Sequence, residues 1–408
     1  MAMPAVTDLD EAGTSVSPNV TPLGIHIHEN LVASEQVWRA LEARGVFTPY
    51  QRYDWIKAYL EAGFTTPSRI AIMVLTQAER PVALIPFEIF NRFGVRIAQV
   101  IGMPISNGDG LVFDPGSANV LTPENLRKSL EKLPADIVNF HCVSPRIGAF
   151  ANPLAALGGS PAPDNFYVNE LAPGDAPFIE QSLPHKRRTN IRRSQRRLEE
   201  GFGAIRLHRA ETEAEVDEIL AVFLDQRGKR FVQMGVENVF ARPTFQRLFR
   251  SLAISGLGQS RPAMSLHALY AGDRIVATSV GTFGPDHYSQ YINSTDYGDA
   301  SRYSLMGVTL SLLVDALRTD GVTGLDMGLG DFDYKTDWTR RETVFDIVVP
   351  ISAPGQLVAP LLRAARTAKR RIKQTPAFWR AARSVQSALT ALRRGQGAKD
   401  RKAKEPTN

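Results

Sequence analysis

One order of elements is written twice along this chain, and that repetition limits the fold more than any single motif. In the first half, residues 69–75 read as a strand, 77–80 as a turn, 81–90 and 96–101 as further strands. A loop (102–116), a helix (123–133) and a closing strand (136–140) follow. The second half repeats this with strands at 263–270, 274–283 and 287–293, a turn at 271–274, a loop at 294–303, a helix at 305–319 and a closing strand at 322–327. Each half opens with helices, at 34–44 and 54–62, then at 186–200, 213–231 and 244–254. Turn residues crowd positions 172–177 between them. Helices, an antiparallel meander and a crossover helix returning to a strand specify an α/β fold with a mixed central sheet.

Length agrees with duplication, because 408 residues exceed a usual single domain and 43% hydrophobic residues can fill two cores. No apolar run nears the roughly 20 residues that span a bilayer. Residues 1–24 are expected to form a disordered leader, with Asp8, Asp10 and Glu11 where a signal peptide would carry basic and apolar regions. The expected location is the cytoplasm. One cysteine, Cys142, rules out an intramolecular disulfide and reads as a core thiol rather than a nucleophile.

Charge divides unevenly. From Gly355 onward there are fourteen Lys/Arg and two Asp/Glu, a net +12, which leaves −6 for everything before. Residues 355–408 are therefore expected to form a basic helix and a disordered polybasic end. Leu357, Leu361, Leu362 and Ala365 share one stripe of that helix, while Arg363, Arg366, Arg370 and Arg371 lie mostly elsewhere. Two readings follow: docking at the inner face of a membrane, or a terminal helix packed by its apolar stripe with a solvated basic face.

Three segments could carry chemistry. In residues 324–338 a short strand empties into a glycine-spaced turn holding Asp326, Asp331, Asp333 and Asp337 around Lys335, with Tyr334 and Trp338 close by. Neighbouring carboxylates should keep Lys335 charged and suit it to stabilising an oxyanion; the alternative is a solvated, self-balanced turn. The loop 296–307 enters a helix whose first amides, at Leu305, Met306 and Gly307, lack intrahelical acceptors. Ser301, Ser304 and Arg302 add hydroxyls and a cation, so a phosphate would suit this end. A serine-capped helix without a ligand is the competing reading. Third, nine Lys/Arg lie between Lys186 and Arg209 with only Glu199 and Glu200 nearby, which calls for an anionic ligand or a solvated face. Aromatics are not interleaved there, so plain nucleic-acid binding is disfavoured. Phosphate-loop and nucleophile-elbow motifs are missing. His26 and His28 have no companion ligands, and Asp331-x-Asp333 does not continue as a calcium loop; no metal is expected.

These segments, taken together over about residues 47–350, resemble the CelD-like or BioF2-like acetyltransferase family of the GNAT superfamily, which is related to the Fem peptidyltransferases. The resemblance implies tandem GNAT-like domains, each a mixed, mainly antiparallel sheet flanked by helices: an N-terminal one at 25–172 with a degenerate donor site, and an acyltransferase domain at 177–352. It implies acetyl-CoA or another acyl-CoA as donor, on Ser301, Arg302, Ser304, Leu305, Met306 and Gly307. The loop departs from the family's glycine-rich pattern. Lys335, Asp331, Asp326, Tyr334 and Tyr303 become catalytic candidates, and Arg188, Asn190, Arg192 and Trp338 candidates for an anionic acceptor. Two other functions fit the same features: a Fem-like transferase using aminoacyl-tRNA, and a non-catalytic module at the membrane beside polysaccharide biosynthesis.

Overall fold

Both halves form the expected elements, but their strands join into one sheet. The computed structural model describes residues 23–375 apart from Phe93 and Val236. Most of the expected leader and the whole polybasic end lie outside the described residues.

The first half runs β1 (Gly24–His28), α1 (Glu35–Glu42), α2 (Tyr53–Ala62), β2 (Arg69–Gln77), β3 (Arg80–Arg92), β4 (Val95–Val100), β5 (Val112–Phe113), α3 (Pro123–Leu130), β6 (Ile137–Val143), a small hairpin of β7 (Arg146–Ile147) and β8 (Phe150–Ala151), and β9 (Ser160–Glu170). The second runs α4 (Phe178–Ser182), α5 (His185–Phe202), β10 (Ile205–Arg209), α6 (Glu213–Met234), α7 (Pro243–Ser255), β11 (Ser265–Ala271), β12 (Arg274–Phe283), β13 (His287–Thr295), α8 (Leu305–Thr319), β14 (Gly324–Leu329), β15 (Arg340–Pro350) and α9 (Ala353–Gln374). β1 already begins at Gly24, inside the expected leader.

Alternation along each strand supplies two apolar faces. In β2, Ile72 and Val74 enter a core built with Trp38, Trp55 and Tyr59 of α1 and α2 and with Phe223 and Phe249 of α6 and α7. Ala71, Met73 and Leu75 enter a second core, under α3, with Leu126 and Phe140. A third core sits between α8, α5 and the second half's strands, around Leu313, Ile191 and Tyr288. Because helices of both halves share the first core, the halves are fastened to each other on that face.

They are also fastened through the sheet. Its strand order is β1-β2-β3-β4-β6-β15-β9-β14-β13-β12-β11-β10. The last strand of each half has crossed over: β15 pairs with β6, β9 pairs with β14, and the two crossing strands pair with each other. Neither crossing strand was read from the sequence. β9 carries Pro161 and Pro163 and β15 opens on Arg340, Arg341 and Glu342, features that argue against interior strands when read locally. The turn-rich boundary at 172–177 divides the chain without dividing the sheet.

α9 corrects one expectation. It packs on the body with its basic face inward. Arg363 donates to Val348 O, Arg366 donates to Phe140 O and pairs with Asp346, and Lys373 pairs with Asp164. Arg370 donates to Ala162 O. Leu357 and Leu361 point outward, 79% and 70% exposed. Strand carbonyls and carboxylates along β6, β9 and β15 offer the arginines more than water does, so the helix turns its cations to the sheet.

Candidate active site

Parallel pairing between β13 and β14 covers three positions, His287 with Gly324, Tyr288 with Leu325, and Ser289 with Asp326, and stops there. Beyond Ser289 and Asp326 the two strands part. Leu325 and Met327 turn into the core under α8, so Asp326 faces the other side, toward the first half.

There Asp326 is fully buried and organises a polar network. His287 Nε2 lies 2.5 Å from its Oδ2, while Oδ1 accepts from Ser289 Oγ at 2.7 Å and from the Gly328 amide at 2.8 Å. The first half completes it: Tyr50 Oη is 2.7 Å from Ser289 Oγ and receives a bond from Asn107 Nδ2 at 2.6 Å. Burial, with the charge of Asp326 next, pushes the Tyr50 hydroxyl far above its ordinary pKa, so it stays protonated. An aspartate acceptor at Nε2 leaves Nδ1 of neutral His287 with a free lone pair. The ring lies across Gly324, where a Cβ would sit 2.6 Å from Nδ1; only glycine admits it.

His287, Gly324 and Asp326 line a cleft of about 680 Å³ between the halves, together with Tyr50, Asp109 and Glu342. Sequence reading named Asp326 and missed His287, since the two are 39 residues apart and only the parallel register joins them.

A second pocket, about 500 Å³, opens where β13's following loop meets α8 and α5. Asn190, Arg193, Arg197, Arg302 and Tyr303 line it. Among the described residues neither Arg193, Arg197 nor Arg302 has a carboxylate partner within salt-bridge range. Ser304 makes no side-chain cap to α8, and the amides of Met306 and Gly307 have no backbone acceptor among the described residues. Three guanidiniums without a carboxylate partner in one pocket suit a phosphorylated ligand, although Glu200 also stands on its wall. Gly307 serves a different approach from the one expected: a Cβ there would meet Ser304 Oγ at 2.7 Å and Ile191 Cγ1 at 3.0 Å, so glycine lets α5 pack against α8. Leu305 is buried in the core, and Ser301 Oγ is spent on Gly298 O.

The first half has a related arrangement of strands. β4 and β6 also pair over three positions and then part. Asp109 fills the gap, its amide donating to His141 O and its carboxylate accepting from the His141 amide. Helix α3 begins at Pro123 and is capped by Thr122 Oγ1 on the Asn125 amide. In the second half Tyr50 and Asn107 of the first half reach the end of the β13–β14 pairing, and Ser194 Oγ of α5 accepts from the Ser304 amide just before α8.

Several predicted site residues sit elsewhere. Lys335 is 3% exposed, and its ammonium donates to Leu329 O at 2.7 Å rather than to a carboxylate. Burial outweighs Asp326, Asp331 and Asp164 and brings its pKa down to about 8, the reverse of the expected stabilised charge. Asp331 does not orient it. Burial alone would raise that carboxyl, but bonds from Tyr167, Gln374 and Asn165 outweigh it and hold it below the usual value. Trp338 is 4% exposed and stacks on Phe178, so it is a core residue. Tyr334 is partly buried in the core under α8, while Tyr303 stands at the arginine pocket. Arg188 and Arg192 both reach Glu180 of α4, and Arg187 reaches Asp337. The expectation that these arginines lack partners fails because Glu180 reaches them from the preceding helix and Asp337 from the turn after β14. No residue of α5 lines the cleft, so an anionic acceptor loses the support α5 gave it.

Residues 185–336 match the family described as an acetyltransferase (GNAT) domain. The second half is an acyltransferase domain of the GNAT type. In sequence, no curated protein matches the chain. Among solved structures it is similar to FemX, at 11% identity and a TM-score of 0.59, over 83% of this chain and 100% of that one. A conserved protein of unknown function from Bacteroides thetaiotaomicron aligns at 9% identity and a TM-score of 0.51, over 81% of this chain and 100% of that chain. At such identities the likeness is one of fold. The GNAT match and the FemX likeness cover the coarser resemblance read from the sequence. No group of metal ligands occurs among the described residues.

Proposed function

We propose that this acyltransferase takes an acyl-CoA donor with its phosphates in the Arg193, Arg197 and Arg302 pocket and passes the acyl group to an acceptor held in the cleft between the halves. The carrying observation is the His287–Asp326 pair at the point where β13 and β14 part, facing that cleft. His287 Nδ1 takes the proton from the acceptor's nucleophile as it attacks the thioester carbonyl. The C–S bond then breaks, and the thiolate leaves with a proton from solvent or from the protonated imidazole. Asp326 fixes the ring and stabilises the imidazolium.

Steady-state kinetics test this. His287→Gln and Asp326→Asn should each lower kcat by about 10²–10³-fold with acyl-CoA binding retained. Arg193→Ala with Arg197→Ala should instead raise KM for the donor and leave kcat near wild type. Unchanged kcat in both cleft variants would overturn the proton-transfer role.

The same arginine pocket suits the backbone of an aminoacyl-tRNA, the donor implied by the Fem resemblance. A binding constant that falls steeply with salt, with a log–log slope of several units, would select that donor over acyl-CoA.

A further inference from the structure

The outward face of α9 is apolar along its whole length. Leu357, Leu361, Ala364, Ala368 and Ile372 recur at helical spacing and are all exposed, Leu357 and Leu361 by 79% and 70% and Ile372 by 43%. The stripe is about 22 Å long at 1.5 Å per residue. Isolated exposed leucines are ordinary, but an apolar stripe on a helix that has turned Arg363, Arg366 and Arg370 inward is not. Exposed Lys369 and Arg371 flank it. The sequence that follows, residues 376–408, adds eight Lys/Arg against two Asp/Glu.

We infer that this face of α9 docks on an anionic lipid surface, with the leucine and isoleucine side chains seated at the level of the headgroups. Charge decides between occupants. A second copy of this chain would bring the same cationic flank and the same basic following segment against themselves, whereas an anionic bilayer pairs with both. A bilayer also accepts a single convex helix without needing a complementary groove. The inward bonds of Arg363, Arg366, Arg370 and Lys373 hold the helix on the sheet while its other side is engaged. The docked helix ends beside the acyltransferase half, because Gln374 donates to Asp331 Oδ2 at 3.0 Å.

The test is flotation of the full chain with two kinds of vesicle, phosphatidylcholine alone and phosphatidylcholine with one-third phosphatidylglycerol. The expected result is binding to the anionic vesicles only, weakened about tenfold or more in the triple variant Leu357→Ser, Leu361→Ser, Ile372→Ser. These side chains are exposed, so an unchanged circular-dichroism melt should accompany the loss. A chain shortened to residues 1–375 should bind more weakly yet still respond to the triple substitution. Equal binding of wild type and triple variant overturns the inference. So does a concentration-dependent dimer that the triple variant dissolves, which would make a second copy the occupant. So does hydrogen-exchange protection of residues 357–372 without lipid that vanishes in the shortened chain, which would make the chain's own terminal segment the cover.

Discussion

Lys335 shows how one side chain can be placed well and understood wrongly. Its neighbours in sequence are acids, which favour an ammonium; its neighbours in space are the Tyr167 and Phe332 rings and two carbonyls, which exclude water. Desolvation wins, and the pKa of about 8 in the folded chain lies below the ordinary lysine value of 10.5. Between those two values the unfolded chain binds more protons than the folded one, so stability should rise with pH across that window. Below about pH 8 both states are protonated and the cost of the buried charge is constant. Urea melts from pH 7 to 10.5 should show the rise in wild type and its absence in Lys335→Met; a flat wild-type profile would mean the amine is solvated. Lys335 ties the end of β14 to the turn after it, holding Leu329 O and reaching Gly328 O. It therefore serves the shape of the strand that carries Asp326 rather than facing a ligand as an exposed ammonium.

Among the elements, α3 and α8 differ in how their first turns are satisfied. Both start after a loop that follows the meander, and both are first turns with orphan amides. In α3 Thr122 accepts from the Asn125 amide and Pro123 has no amide to satisfy, whereas the Met306 and Gly307 amides of α8 have no backbone acceptor among the described residues. α9 is governed by the same hunger for partners. Arg366 is largely buried, reaches Asp346 and donates to Phe140 O. Arg366→Met should cost about 3 kcal/mol by leaving Asp346 buried without its cation, read as a lower urea midpoint. An unchanged midpoint would show that the strap is dispensable.

At the scale of the whole molecule, the exchange of β9 and β15 makes the two halves one folding unit. A fragment of residues 1–172 would present β6 without its β15 partner and β9 with neither neighbour, and the core shared by α1, α2, α6 and α7 would lose half its side chains. Expressed alone, that fragment should be insoluble or lack a cooperative melt; co-expressed with residues 173–408 it should co-purify as a complex. Independent folding of the fragment would contradict the exchanged sheet. Local spacing determined a good deal here. Period-two apolar runs fixed the meander strands, the 3.6 period fixed α2, α6 and α8, and the repeat of the whole order gave the tandem fold and the resemblance that goes with it. The positions of Arg302 just before α8 and of Asp326 on β14 were legible too, because the spacing around each is local. What tertiary structure alone decided is every property that depends on a distant neighbour. The crossing of β9 and β15, the pairing of His287 with Asp326, the reach of Tyr50 into the other half and the inward turn of α9's arginines all follow from which strands lie side by side. Hydrogen bonds and charges act over a few ångströms, and a sequence records only those neighbours that the chain itself makes adjacent.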